Sequence, residues 1–515
     1  MKRKFGIKQW VIICLLGPAA VYLAAIFIIN RYFVFDIEER FPDRCFRALV
    51  KSEFDRDGDG MISWAEAGEV EKLLLTRNWD YATEEIIAEY HSLKGIEIFR
   101  NLTELYCPGA GLTELDVSGN RELTSLNCDD NELRKLDLRV NRKLEILQCS
   151  DNALRELLLP KSGELGMLVC DNNRLTSLEL SGEKLSYVSC DHNTIWELDV
   201  SGLSILTLLS CSNNRIGRLD LRGLNEMEYL DCSNNDLKEL LLWSDAERND
   251  VPEETILCSN NQLTELDLSG LRNPRVVLCG VNNISELDVS HLPNLISLNC
   301  SATLIESLDL SANIHLQALF CGQTQITELD LSSNRELKSL NVECLGLTSL
   351  DLSGFRNLQS LFCRDNQLTK LEIGDLVNLN RLECSHNQLT KLPLENLSKL
   401  VLLRCDHNQL GRLNLEGCPN IKEVDAAYNR LTEITFGPED CLLRLYCNDN
   451  ELSELTVPFL PGVSYQKILS CERNNIGVII SNIVPDELSK DEKTPLKIVV
   501  PEDPPVDDWE DEENE

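Results

Sequence analysis

Residues 55 to 66 place oxygen donors at alternate positions around a tight turn. Asp55, Asp57 and Asp59 stand two residues apart, Gly60 follows, the Met61 carbonyl and Ser63 come next, and Glu66 closes the stretch. Carboxylates at positions 1, 3 and 5, a main-chain carbonyl at 7, a hydroxyl at 9 and a bidentate carboxylate at 12 supply the six to eight hard oxygens that calcium requires. Glycine at position 6 permits the sharp reversal that turns these donors toward one centre. Asp55, Asp57, Asp59, Met61, Ser63 and Glu66 are therefore the candidate metal ligands, and calcium is the expected cofactor.

Such a loop needs rigid flanks. Asp43 to Phe54 (DRCFRALVKSEF) reads as a leading helix and Trp64 to Thr76 (WAEAGEVEKLLLT) as an exiting one, so residues 31–79 are expected to form an EF-hand helix-loop-helix. The sequence shows no second loop of this kind, so the pairing that gives calcium sensors their cooperativity is not available within the chain. A structural clamp is the expected role; the alternative is a calcium-responsive switch that controls partner binding.

The remainder is one sentence repeated. Leu379 to Thr390 reads LNRLECSHNQLT, and Leu400 to Leu410 reads LVLLRCDHNQL, both copies of L-x-x-L-x-C-x-x-N-x-L set 21 residues apart. Sixteen of the 21 cysteines, from Cys107 to Cys471, fill one slot, with Val342 and Ala426 in the two gaps. One turn cannot bury its own leucines, so the period implies a leucine-rich-repeat solenoid of about 18 turns spanning 102–484. Alternation of period 2 sends the second Leu and the Cys inward on a short parallel strand and leaves their neighbours on an exposed concave face. The convex half, too short for a full helix, is expected to be extended or 3-10. The cysteines read as small core residues, and the Asn as a ladder that satisfies main-chain groups of adjacent turns. Residues 80–101, expected to begin with a short helix, and the EF-hand would cap the first turn. A stretch from Trp243 to Glu254 should bulge outward, and Thr303, Thr324 and Leu345 interrupt the Asn ladder, where the stack is expected to loosen or re-curve.

On the concave face, the column just before the cysteine slot holds Leu257, Leu278, Phe320 and Phe362, with Val276 and Ala318 two residues earlier in their turns. Clustered solvent-facing apolar groups mark an interaction surface for a protein or peptide. Arg364, Arg381, Arg404 and Arg444 follow and could take a partner's carboxylates. Nearer the N-terminus the same face or its edge carries Asp129, Asp130, Asp151, Asp171, Asp191 and Asp231. The net charge of −36 argues against nucleic acid. No phosphate loop, nucleophile motif or paired catalytic carboxylates emerge, and His192, His386 and His407 occupy a turn where polar residues are usual, so neither an enzyme nor a small-molecule substrate is expected.

At the N-terminus, Trp10 to Ile29 carries no charge and is preceded by Lys2, Arg3, Lys4 and Lys8. Twenty apolar residues make a helix as long as a bilayer core is thick. The expectation is a basic cytoplasmic segment at 1–8, a transmembrane signal-anchor helix at 9–30, and repeats outside the cytoplasm in a single-pass protein. The tail, 485–515, is acidic and proline-rich and is expected to be mostly disordered apart from a closing strand at Leu496 to Val500.

The calcium-loop pattern, the lead-in KGIEIFRNLTEL from Lys94 to Leu105 and turns ending L-T-x-L-D-L-S together resemble leucine-rich-repeat surface proteins of Gram-negative anaerobic bacteria, and more loosely internalins. The resemblance spans about residues 43–480. It implies an extracytoplasmic binding or adhesion protein without enzymatic activity.

Overall fold

The computed structural model describes residues 34–499 apart from 76–77, 81–84, 89, 162, 245–252, 438–441, 459–467, 477, 482–486 and 490–496. It divides into two units, Met1–Pro252 and Glu253–Glu515.

The first unit opens with strand β1 (Val34–Asp36), helices α1 (Ile37–Arg40) and α2 (Arg44–Glu53), strand β2 (Met61–Ser63), helix α3 (Trp64–Gly68) and strand β3 (Lys72–Leu74). Asp43 caps α2 by accepting the Phe46 amide at 2.8 Å. Ser63 caps α3 through a capping box with Glu66. The expected exiting helix to Thr76 stops at Gly68: the chain turns extended, and β3 becomes the first strand of a parallel sheet by pairing with Glu104–Tyr106. The bonds of that sheet override the helical pattern of EKLLL. The short helix expected within 80–101 is replaced by an antiparallel strand pair, Asn78–Asp80 with Glu85–Ala88, and a 3-10 turn at Ile96–Ile98.

The membrane reading is not supported. Residues 9–30 lie outside the described residues, and among the described residues no helix is long and apolar enough to cross a membrane. The longest, α2, has 10 residues, which rise only about 15 Å, half a bilayer core. The single-pass topology, the cytoplasmic N-terminus, the extracytoplasmic repeats and the membrane contact that depended on that helix fall with it.

In the first unit the parallel sheet runs from β3 through Glu104–Tyr106, Ser125–Asn127, Ile146–Gln148, Met167–Val169, Tyr187–Ser189 and Leu208–Ser210 to Tyr229–Asp231. The second unit's sheet begins at Glu254–Leu257 and Pro274–Leu278, passes through Ala318–Phe320, Ser360–Phe362 and Arg381–Glu383, and ends at Ile468–Ser470 and Glu487–Ser489. In each three-residue strand of the first unit's sheet the middle residue points inward. Leu126, Leu147, Leu168, Val188, Leu209 and Leu230 are fully buried, each worth roughly 1.5–3 kcal/mol of transfer free energy. The return halves are extended, and some pair among themselves, as Lys135–Asp137 does with Glu156–Leu158. In the tail, Lys497–Val499 pairs with Val478–Ser481 and supplies the expected closing strand.

All sixteen cysteines of the repeated slot are buried. Burial pushes the Cys107, Cys300 and Cys363 thiols up to about 12, so they stay protonated and unreactive at neutral pH. The Asn ladder is explicit. Asn387 Nδ2 donates to the carbonyls of Cys363, Cys384 and Ser385 at 3.0–3.1 Å, and its Oδ1 accepts the Leu368 amide at 3.0 Å. Thr303 and Thr324 donate to the cysteine carbonyl of their own turn and make no bond to the carbonyl of the preceding turn's cysteine among the described residues, and Thr324 also accepts the Ile326 amide at 3.4 Å. The strand register nevertheless passes through Ser297–Asn299, Ala318–Phe320 and Ser339–Asn341 without a shift. Inter-turn main-chain bonds such as Gln323 N–H to Glu343 O at 2.8 Å hold the turns together there. In the insertion, residues 245–252 lie outside the described residues; Trp243, expected in a bulge, is instead buried, 2% exposed.

Candidate calcium loop and recognition surfaces

The three aspartates of the loop converge. Carboxylate oxygens of Asp55, Asp57 and Asp59 lie within 4.8 Å of one another. Main-chain amides shape the turn: Gly60 N–H donates to Asp55 Oδ2 at 3.0 Å, Asp59 N–H to Asp57 Oδ1 at 3.2 Å and Met61 N–H to Asp59 Oδ1 at 2.8 Å. Gly60 holds φ +77°, a conformation that side chains resist. Asp55 is 8% exposed, and its buried Oδ1 has no hydrogen-bond partner. A buried, unpartnered carboxylate oxygen beside two further carboxylates is a costly arrangement that a cation would relieve, so the donor set fits calcium.

Glu66 is drawn over the loop. Its carboxylate accepts from the Arg56 amide at 3.1 Å and from the Ser63 amide and hydroxyl at 2.8 and 2.7 Å. Burial works against its charge, but these bonds prevail and hold its carboxyl below the ordinary range. The free edge of the loop is closed by β1, which pairs antiparallel with β2 (Phe35 opposite Ile62), and the Ile37 amide bonds the Gly60 carbonyl at 3.3 Å. Sequence reading missed this partner, because three residues, Val34–Asp36, carry no periodic signal.

The loop is packed onto the first repeat. Phe54, just before Asp55, meets Phe99 edge-on at 5.6 Å, and Phe41 and Phe46 complete the cluster. Trp64, just after Ser63, lies between the Phe35 ring at 4.9 Å and the Arg100 guanidinium at 4.1 Å. Gly95 lets the chain pass Phe41: a Cβ there would stand 2.6 Å from the ring. Asn101 Nδ2 bonds the Gly68 carbonyl at 2.7 Å.

On the open side of the second unit's sheet, the expected column forms. Leu257 pairs with Leu278, and further along Phe320, Asn341 and Phe362 follow in register, all half-buried. Val276 is two strands from Ala318 in the neighbouring column. The arginines are placed differently from the expectation of free cations. Arg364 Nε contacts Glu343 at 2.8 Å, Arg381 Nε donates to Glu383 at 2.9 Å, and Arg404 and Arg444 both reach Glu423, at 3.4 and 3.0 Å. Arg381 also covers the Phe362 ring at 5.1 Å. These guanidiniums neutralise carboxylates of the sheet itself.

A second surface lies on the first unit and was not singled out from the sequence. Ile146, Met167, Tyr187, Leu208 and Tyr229 occupy one column of five adjacent strands in unbroken register. All five are half-buried or exposed, Ile146 by 38%. They stand three residues before Cys149, Cys170, Cys190, Cys211 and Cys232, the place Val276 holds before Cys279; following only the column next to the cysteines does not find them. Beside this stripe, Asp171 Oδ1 accepts the Ser189 hydroxyl and the Asp191 amide, each at 2.7 Å, and Asp191 accepts the Ser210 hydroxyl and Ser212 amide at 2.7 and 2.6 Å. Burial, with the like charge of Asp171, pushes the Asp191 carboxyl above its ordinary range. Burial also raises Asp129 despite bonds from Ser150 and Asn127, with Asp151 and Asp171 adding to the rise. Burial and then Asp231 and Asp191 raise the Tyr229 phenol. Among the described residues, no lysine or arginine forms an ion pair with Asp129, Asp171, Asp191 or Asp231. Asp130 and Asp151 sit at the following left-handed turn positions, each with φ +53°.

No protein-family model matches the chain, and no curated protein matches it. Among solved structures, the functional domain of InlJ from Listeria monocytogenes includes a cysteine ladder; it superposes with a TM-score of 0.61 at 26% identity, over 82% of either chain. The fold is similar to that of internalin-like leucine-rich-repeat proteins. YopM from Yersinia enterocolitica shares this leucine-rich-repeat fold with a TM-score of 0.64 at 23% identity, over 86% of this chain and 94% of its own. The Arabidopsis receptor kinase HAESA, solved in complex with the peptide hormone IDA and the co-receptor SERK1, gives 0.55 at 20% identity, over 74% of this chain and 72% of its own.

Proposed function

We propose that this leucine-rich-repeat chain is a protein-recognition module that holds a polypeptide segment bearing apolar and basic side chains against the open sheet face of its first unit. The observation that supports this most is the Ile146–Met167–Tyr187–Leu208–Tyr229 column beside aspartates that no lysine or arginine among the described residues neutralises. Those positions are free of core packing, so apolar groups repeated there cost solubility without stabilising the core. Tyrosines are efficient anchors because they bury a large area with few rotatable bonds, and a buried anchor contributes 2 kcal/mol or more, roughly a 30-fold effect on affinity. Unpaired aspartates favour Lys and Arg in the partner and reject acidic segments. The second unit's Leu257, Leu278, Phe320 and Phe362 offer a further apolar surface whose charges are already balanced.

Calcium in the Asp55–Glu66 loop would fasten the cap of this module. Eight residues, Trp64 to Glu71, lead from the loop strand to the sheet edge at Lys72, and the loop's aromatic flank packs on Phe99, which supports a clamp over a switch. Selection of binders from a random peptide library against the calcium-loaded full chain tests the recognition reading. Enrichment of sequences that combine aliphatic or aromatic residues with Lys or Arg supports it; enrichment of acidic sequences, or none at all, overturns it.

A further inference from the structure

A second cluster of ligating groups lies in the second unit, in the turns that follow Cys384 and Cys405. His386 and His407 stand 21 residues apart in the repeat, so they occupy equivalent positions on successive turns. Asp406 adjoins His407, and one ligand atom from each of the three residues lies within 4.8 Å of the others. Asp406 Oδ2 is 2.9 Å from His407 Nδ1 and 3.8 Å from His386 Nε2. Its other oxygen, Oδ1, accepts the Ser385 hydroxyl. One carboxylate oxygen is thus fixed from behind while the other faces two imidazoles. The Ser385 hydroxyl thereby orients the carboxylate for a metal, as hydrogen bonds to a ligand's other oxygen do.

We propose that His386, Asp406 and His407 bind a divalent transition-metal ion of the zinc class. Two imidazole nitrogens and one carboxylate oxygen suit zinc, copper or nickel and not calcium, which takes oxygen donors. Cys384 and Cys405 on the same turns are fully buried in the core, so thiolates are not part of this ligand set. Three protein ligands leave a position open for water or for a donor from a partner.

The rings also dictate how the ion enters. His386 and His407 stack at 4.1 Å with their planes 12° apart, and Tyr428 continues the stack on His407 at 4.2 Å. An ion sits in the plane of each imidazole that binds it, and two stacked planes cannot share one centre. One ring must turn about its Cβ–Cγ bond, so binding opens the stack. The side chains have room: His386 is 49% exposed and His407 41%. Both histidines hold φ +53°, in a column where other turns carry Asn, such as Asn213, Asn234 and Asn260. Asparagine tolerates this conformation well, so His→Asn removes the ligand and keeps the turn.

The test is a calorimetric titration with Zn2+ alone on the full chain, with calcium in excess so that the aspartate loop does not compete. His386→Asn and His407→Asn are each expected to weaken the zinc site by about tenfold or more, the scale of losing part of a metal's coordination. His192→Asn, at an equivalent turn in the other unit, is expected to leave it unchanged. With Co2+ as the probe, the spectrum should show ligand-field bands without thiolate charge transfer. Wild-type zinc affinity in both His386→Asn and His407→Asn overturns the proposal, as does a thiolate band, which would move the metal to the cysteines.

Discussion

Replacing Asp57 by Asn should change the sign of its effect with calcium. The carboxylate oxygens of Asp55, Asp57 and Asp59 lie within 4.8 Å of one another. Like charges about 5 Å apart repel by about 1 kcal/mol where water screens them, and by more where it does not. Asp57 takes part in two of the three pairs, so neutralising it relieves roughly 2 kcal/mol of repulsion in the calcium-free protein. Asn retains the oxygen that accepts the Asp59 amide, so the turn itself is kept. With calcium the balance inverts, because the loop loses a charged ligand. At calcium about 1,000 times its dissociation constant, wild type gains about 4 kcal/mol, whereas a variant weakened about 100-fold gains only about 1.4 kcal/mol. Urea unfolding of the full chain, in chelator and in calcium, measures both numbers. Hydrogen exchange of the Leu75 amide, bonded to the Tyr106 carbonyl at the edge of the sheet, reports the cap itself. Asp57→Asn should be the more stable protein in chelator and the less stable in calcium. A variant less stable than wild type in chelator, or one that keeps the full calcium gain, refutes the reasoning.

Other consequences are more local. Asn387→Ala removes two donated N–H groups and orphans the buried Leu368 amide, so it should cost about 3–5 kcal/mol in denaturant unfolding; Asn387→Thr, which mimics Thr303, should cost visibly less. In native protein a thiol reagent should reach Cys344, which is exposed, and not the sixteen buried thiols, which should react only on unfolding. Because burial and then Asp365 and Glu343 raise the Cys344 thiol, its reaction should be slower than that of a free thiol at pH 7 and should quicken as pH rises. Acid should weaken the return halves of the turns. Bonds from Arg139 lower Asp137 to about 2, so its contribution is complete above the ordinary aspartate value near 4 and is lost as pH falls through about 2; Asp137→Asn should remove that part of the pH dependence of unfolding.

The repeat was legible because its cysteines, leucines and asparagines recur at a fixed interval, and each has a single structural duty. Cys384 and Asn387 could be given theirs before any coordinates. The convergence of Asp55, Asp57 and Asp59 was legible in their alternate spacing ahead of Gly60. What escaped depends on pairing between distant segments. Helical periodicity in WAEAGEVEKLLLT gave way at Gly68 because Lys72–Leu74 gains sheet bonds with Glu104–Tyr106. The arginines at 381, 404 and 444 looked available until Glu383 and Glu423 were found beside them. The Tyr187–Tyr229 stripe and the His386–Asp406–His407 cluster were written in the 21-residue spacing, but only reading every column of the repeat, and not the cysteine column alone, reveals them.

The recognition surface is tested most directly by the affinity of a library-selected peptide for full-length variants of the sheet face. Tyr187→Ser and Tyr229→Ser should each weaken it by roughly tenfold or more, as expected for anchor residues. Trp196→Ser, which removes a 62% exposed indole outside the sheet strands, should leave it unchanged. Retention of full affinity in both tyrosine variants, or its loss in Trp196→Ser, contradicts recognition by the open face of the sheet.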